Sequence, residues 1–209
     1  MKKKVLLILT LLCLTGCNKV NTNTKEYVNN LNNVFKTNNT IVNKASIGYK
    51  YYLPQGVTVS EDSDFNQTFN YNGTKMYLYV DLVSYYYKKV LDQEVDYNFY
   101  FSNLNYGKKY GYILINEENN KYFVKIVYNY AKIELYTDYK NLNNTIIMAS
   151  IILNSIDYND TIISGLIDDE MISYSDITYQ LGVPDSNDSF SKYLEEYIQE
   201  EQAVELPEE

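Results

Sequence analysis

The sequence predicts an α+β protein, an antiparallel meander sheet packed with helices. Two observations carry this reading. Runs of alternating apolar and polar residues recur through the middle of the chain, separated by Gly, Asn and Pro turn signals. Apolar residues at helical spacing flank that middle on both sides, over 25–37 and 141–153. Divided on this basis, the 209 residues give a helix and loop at 25–45, an α+β domain at 46–158 and an acidic extension with one helix at 159–209, and the N-terminal stretch, whose own motif sets its bounds, adds a leader at 1–16 and a tether at 17–24.

The first helix is predicted over Lys25 to Thr37, where Tyr27, Val28, Leu31, Val34 and Phe35 recur at three and four. Asparagines break the pattern from Asn38 to Lys44. Strands begin near Ile47: Tyr49, Tyr51 and Leu53 lead to Pro54-Gln55-Gly56, a turn signal, and Val57 and Val59 follow. Phe65 to Tyr71 and Thr74 to Val83 flank Asn72-Gly73, a pair that favours the two-residue hairpin turn with positive φ at both positions. From Tyr85 to Asp92 the periodicity fails and does not choose between helix and strand. Tyr97, Phe99 and Phe101 alternate, and Lys109 to Ile115 resumes a strand after the glycines at 107 and 111. Beyond a turn at Glu117 to Asn120, the residues Tyr122, Val124, Ile126 and Tyr128 and then Ile133 to Tyr136 complete the meander.

A second helix follows, capped by Asn141 or Asn143, with Leu142, Ile146, Ile147, Ala149, Ser150 and Leu153 on its buried side. Ser155-Ile156 is the expected last strand. A small apolar group, Ile162, Ile163, Leu166 and Ile167, opens the extension. Phe190, Tyr193, Leu194, Tyr197 and Ile198 then predict a closing helix over Asp188 to Gln202, starting at Asp188 or Ser189, whose apolar side either docks on the domain or meets a partner.

Composition removes whole classes of chemistry. The chain has no His, and all 18 basic residues are lysine. Cys/His and Ser/His catalysis and His-based zinc sites are therefore excluded. Charge is uneven: residues 18–159 hold 14 Lys against 13 acids, whereas 160–209 hold Lys192 alone against 14 acids. Neither part offers the clustered basic face that nucleic acid requires. No cofactor is expected.

Three lysines, Lys2 to Lys4, precede an apolar run from Val5 to Leu14, and Leu14-Thr15-Gly16-Cys17 closes it. A basic start, a short apolar stretch and small residues before a cut site are the parts of an export signal. A ten-residue helix rises about 15 Å, half of a bilayer's hydrocarbon thickness of about 30 Å, so the run is too short to span. The four closing residues resemble the lipobox of bacterial lipoproteins. That resemblance covers residues 1–17 and implies a lipid on Cys17, a mature chain that begins there, and a place on the outer face of the cytoplasmic membrane. Two acyl chains hold a protein at a membrane where one does so only marginally. With Cys13 removed and Cys17 alkylated, no disulfide is left to the folded part.

The order of hairpin, meander and helix, opened by Tyr-Tyr-Leu-Pro and closed by Ile-Leu-Asn-Ser-Ile, is similar to the Mog1/PsbP-like α/β/α sandwich. This resemblance implies a binding or adaptor module rather than a catalyst.

Candidate sites are few. Ser189-Phe190-Ser191-Lys192 matches S-x-x-K, but the S-D-N and K-T-G partners of penicillin-binding enzymes are missing. Asp62, Asp64 and Asn66, and again Asp185, Asn187 and Ser189 with Glu196, begin like calcium loops, yet Gln67 and Phe190 occupy the glycine positions. Both are expected to be turns, and no metal is assigned. Paired carboxylates serve glycosidases without histidine, and Asp81, Asp96 and Glu134 are the acids in the strand region to test for that role. Tyrosine is abundant, 25 residues beside no Trp. Its ring packs while its hydroxyl stays wet. Tyr85, Tyr86, Tyr87 and Tyr106 are the expected binding surface for a cell-wall glycan or an envelope protein. The function expected is thus a lipid-anchored binding or structural module of the cell envelope. Its rivals are a histidine-independent glycan hydrolase and a solute-binding lipoprotein, the latter set back by the lack of a second lobe to close on a solute.

Overall fold

A computed structural model describes residues 24–37, 41–63, 65–90 and 96–168. The leader, Cys17 and the Asp188 to Gln202 helix lie outside the described residues. So do the S-x-x-K run and the second calcium-like loop.

The protein is mixed α+β, built on a seven-stranded antiparallel sheet. Helix α1 (Thr24–Lys36) precedes the short strands β1 (Lys44–Ser46) and β2 (Tyr49–Tyr51). Strands β3 (Val57–Asp62), β4 (Asn66–Tyr71) and β5 (Thr74–Val80) form one meander. A five-residue helix α2 (Leu82–Tyr86) then leads across to β6 (Tyr100–Tyr106). Strands β7 (Lys109–Glu118), β8 (Lys121–Tyr128) and β9 (Ala131–Thr137) return by a second meander, and β9 pairs with β5 to give the order β3-β4-β5-β9-β8-β7-β6. Helix α3 (Tyr139–Asn154), strand β10 (Asp157–Tyr158) and helix α4 (Asp160–Asp168) follow. Strand β10 joins β2 and β1 in a small second sheet.

Tight turns fix the register. Asn72 and Gly73 both adopt positive φ, 50° and 80°, as the Asn-Gly pair predicts. The same two-residue geometry recurs at Asn119-Asn120 and at Asn129-Tyr130. The last is unusual, because a bulky ring disfavours φ of 64°. Gly107 at φ 65° opens the β6–β7 turn, but Gly111 is not part of it. Gly111 lies within β7 opposite Tyr128, where an added Cβ would stand 1.9 Å from the Val127 carbonyl oxygen, so only glycine lets the two strands approach.

Alternation along each strand separates two faces. The inner face carries Met76, Leu78 and Val80 of β5, Ile113 and Ile115 of β7, Val124 and Ile126 of β8, and Ile133 and Leu135 of β9, all within one buried cluster. Helix α3 covers it with Leu142, Ile146, Ala149 and Leu153, spaced four, three and four apart. Helix α1 adds Leu31 and Phe35, whose ring packs 4.4 Å from that of Tyr128. Asn154 secures this helix by donating from Nδ2 to the carbonyls of Val34 and Thr37, each at 2.9 Å, which satisfies two groups that a helix end leaves open.

Several boundaries differ from those expected. The strand after the Asn-Gly turn stops at Val80, because Asp81 accepts from the Ser84 N–H and starts α2, taking Val83 with it. Asp138, not Asn141 or Asn143, stands at the cap position of α3, its side chain making no cap bond, and Asn143 instead accepts from Asn30 of α1. Ser155 terminates α3 and Ile156 is buried, so the last strand among the described residues is Asp157–Tyr158, which pairs with β2 and carries a 3.0 Å ion pair from Asp157 to Lys50.

Candidate functional site

Where β2, β10, α2 and α4 meet, the tyrosines gather. Tyr85 of α2 stacks on Tyr158 of β10, centroids 3.9 Å apart and planes 17° from parallel. Its hydroxyl donates to Asp160 Oδ1 at 2.7 Å, and the Lys88 ammonium sits 3.6 Å from its centroid. The ring of Tyr130 meets Tyr85 edge-on, and its hydroxyl lies 3.2 Å from that of Tyr110, which donates to the Lys89 carbonyl. This set of contacts explains how Tyr130 is held at positive φ. Tyr158 donates to the Asn129 carbonyl at 2.7 Å, tying β10 to the same turn.

Burial raises the hydroxyl pKa of Tyr85 to about 12, with the hydrogen bond and charge of Asp160 adding to the rise. Burial does the same for Tyr130, helped by Tyr110, and pushes Tyr158 well above the usual range. These hydroxyls are neutral donors at any physiological pH.

Beside the stack an open cavity of about 340 Å³ is lined by Tyr49, Lys50, Asp157, Tyr158, Asn159 and Asp160. It offers an ammonium, carboxylates and a carboxamide next to aromatic rings, the mixture that binds polyhydroxylated or peptide groups. At the end of α2, Tyr86 and the C-cap residue Tyr87 point outward, 37% and 54% exposed, their rings perpendicular at 5.1 Å.

Of the four tyrosines singled out from sequence, Tyr85 and Tyr86 lie in α2 and Tyr87 caps its C-terminal end. Tyr106 belongs elsewhere: it stacks on Phe35 at 5.7 Å and donates to Asn32, fastening α1 to β6. The three acids have different partners. Asp81 caps α2, Asp96 precedes β6 and is exposed, and Glu134 is buried in β9 with Lys125 and Lys132 at 3.4 and 3.7 Å. Burial brings the Lys132 ammonium down to about 8, against the upward pull of Glu134. Asp62 accepts from Gln67, its neighbour across the β3–β4 pair, and among the described residues no cluster of metal-ligating side chains occurs.

Sequence reasoning did not find Lys50, Asp157, Tyr158 or Asp160. The Asp-Tyr-Asn-Asp run at 157–160 is their only local signal, and it gains meaning through pairing with a strand more than a hundred residues earlier.

No protein family, curated protein or solved structure matches this chain. Among the described residues no helix is long and apolar enough to cross a membrane.

Proposed function

We propose that this chain is a lipid-anchored binding module of the bacterial cell envelope, held through Cys17 on the outer face of the cytoplasmic membrane, and that it binds cell-wall glycan. The single observation that carries the binding role is the cavity beside the Tyr85–Tyr158 stack, where Lys50, Asn159 and Asp160 stand next to aromatic rings. Sugars offer hydroxyls to such polar groups and C–H faces to tyrosine. Exposed Tyr86 and Tyr87 at the end of the adjoining helix extend this surface. The lipobox-like Leu14-Thr15-Gly16-Cys17 supports the anchor.

The seven-stranded antiparallel sheet with its helices is in keeping with a Mog1/PsbP-like adaptor, a likeness of architecture that does not itself name an activity. Asp81 accepts from the Ser84 N–H and Glu134 is held by Lys125 and Lys132, which favours binding over hydrolysis by that set, because a glycosidase needs two carboxyl groups free to face one bond.

Co-sedimentation of the purified protein with insoluble cell-wall glycan tests this reading. The parent chain is expected in the pellet, and a Tyr86→Ser, Tyr87→Ser, Asp160→Asn variant in the supernatant. Equal sedimentation of the two, or a pellet free of both, overturns it. Cross-linking in intact cells that returns an envelope protein and no glycan reassigns the surface to a protein partner. Mass spectrometry showing a free thiol at Cys17 removes the anchor.

A further inference from the structure

Six non-glycine residues among those described adopt positive φ, and four of them are asparagines, whose short polar side chain suits that conformation. The two exceptions, Lys88 and Tyr130, both lie against Tyr85: the Lys88 ammonium covers its ring, and the Tyr130 ring meets it edge-on. The contrast is sharpest at Tyr130. At the same second position of a two-residue turn, the β7–β8 hairpin has Asn120 and the β4–β5 hairpin has Gly73. Either residue takes a φ of 64° at less cost than tyrosine, so the turn alone does not account for the ring.

What the ring and its backbone do is join the two walls of the corner. The Tyr130 carbonyl accepts from the Asp81 N–H at 2.8 Å, where α2 starts. Its ring meets Tyr85 within the helix, centroids 5.7 Å apart, and its hydroxyl reaches that of Tyr110, which donates to the Lys89 carbonyl past the helix end. The neighbouring Asn129 carbonyl accepts from the hydroxyl of Tyr158, which lines the cavity from β10. Two consecutive residues thus hold both α2 and β10. A helix of five residues has too few internal hydrogen bonds to keep its own place, so its attitude toward the cavity is set from outside.

We propose that the Asn129-Tyr130 turn positions the ligand site, setting α2 against β10 so that Tyr86, Tyr87 and the cavity engage one glycan together. Tyr130, 9% exposed and not part of the cavity lining, is a positioning residue. The proposal rests on the glycan-binding reading above. Walls already in place need not be ordered when ligand arrives, and the costly backbone of Tyr130 is the counterpart of that pre-organisation.

Sedimentation of the full chain over a range of cell-wall glycan concentrations, beside amide hydrogen exchange, tests this. Tyr130→Asn keeps a residue suited to the turn and removes the ring; the glycan needed for half-maximal sedimentation is expected to rise about tenfold as the walls lose their setting. Exchange is expected to quicken over 82–89 and 157–158, while the amides of β7 and β8 stay protected. Tyr130→Phe keeps the ring on Tyr85 and is expected to bind within about twofold of the parent. Tyr110→Phe leaves every ring in place, cuts only the tie to Lys89, and is expected to weaken sedimentation about threefold. Parent-like sedimentation of Tyr130→Asn overturns the proposal, even with quickened exchange, because the turn then only stabilises. So does a loss in Tyr130→Phe as large as that in Tyr130→Asn, or protection lost across β7 and β8 together with parent-like sedimentation of Tyr110→Phe. A parent chain that stays in the supernatant overturns the glycan reading and this proposal with it.

Discussion

Ile126 and Val127 are neighbours on β8, yet they lie on opposite faces of the same sheet and in different company. Ile126 is 0% exposed among side chains contributed by strands and helices alike. Val127 sits in a cluster of strand side chains whose nearest rows contain Lys125, Lys132 and Glu134. The inner face is held by apolar area removed from water and by close packing. The outer face mixes apolar rings with an ion group whose attraction offsets a desolvation cost. One face therefore tolerates little change in volume, and the other is sensitive to charge.

Truncating each neighbour separates the two regimes. Ile126→Ala is expected to lower stability by about 2–5 kcal/mol, the range for deleting a buried aliphatic side chain where helices hold the walls apart. Val127→Ala removes two methyl groups and is expected to cost no more than about 2 kcal/mol. Urea unfolding of both variants measures the gap. Equal losses would mean that the outer face is packed as rigidly as the inner one.

Charge distinguishes the faces next. The Lys132 ammonium titrates near 8 in the folded chain and near 10.4 when unfolded. Between these values the unfolded state binds the proton that the folded state has released, so stability contributed at this position rises with pH from about 8 to 10.5, by an amount on the order of 2–3 kcal/mol. Lys132→Met is expected to flatten that rise. Lys109, lowered by burial as well, adds a rise of the same sign that both proteins share. Above pH 10 two tyrosines of the inner cluster work the other way: Tyr51 and Tyr128, raised by burial to about 12, keep their protons while the unfolded chain loses its own, so stability falls between 10 and 12. Thermal unfolding from pH 7 to 10 checks the difference, and parallel curves for parent and variant would show that Lys132 is not desolvated.

What could be read in the sequence follows from how local its cause is. Asn72-Gly73 declared a hairpin because both positions need positive φ and those residues accept it. Alternation from Tyr122 to Tyr128 announced a strand with an apolar face. The Asn129-Tyr130 turn gave little sign, since tyrosine resists that conformation and is held there by Tyr85 and Tyr110 from other elements. Helix α2 spans five residues, too few for a helical period to show, and so the Tyr85 to Tyr87 stretch was ambiguous. The adjacency of β5 and β9 depends on β6, β7 and β8 being laid down first. The corner cavity is less legible still, because Lys50 and Asp157 acquire a common purpose only when β10 returns to β2.

That corner belongs to neither face, and it supplies the smallest expected effect. Tyr85→Phe keeps the ring that stacks on Tyr158 and receives Lys88, and deletes only the hydroxyl that donates to Asp160. Because this bond is exposed, water replaces it at both ends, and the loss is expected at about 0.5–1.5 kcal/mol by urea unfolding. Tyr85→Ala also removes the stacked ring and its support of Tyr130 at positive φ, and it is expected to cost more than twice as much. Similar losses for the two would place the stability of the corner in the Asp160 bond and leave the ring to the ligand. A wide gap would make Tyr85 the structural member of the trio and leave Tyr86 and Tyr87, the two that point outward, as the ones free to meet glycan.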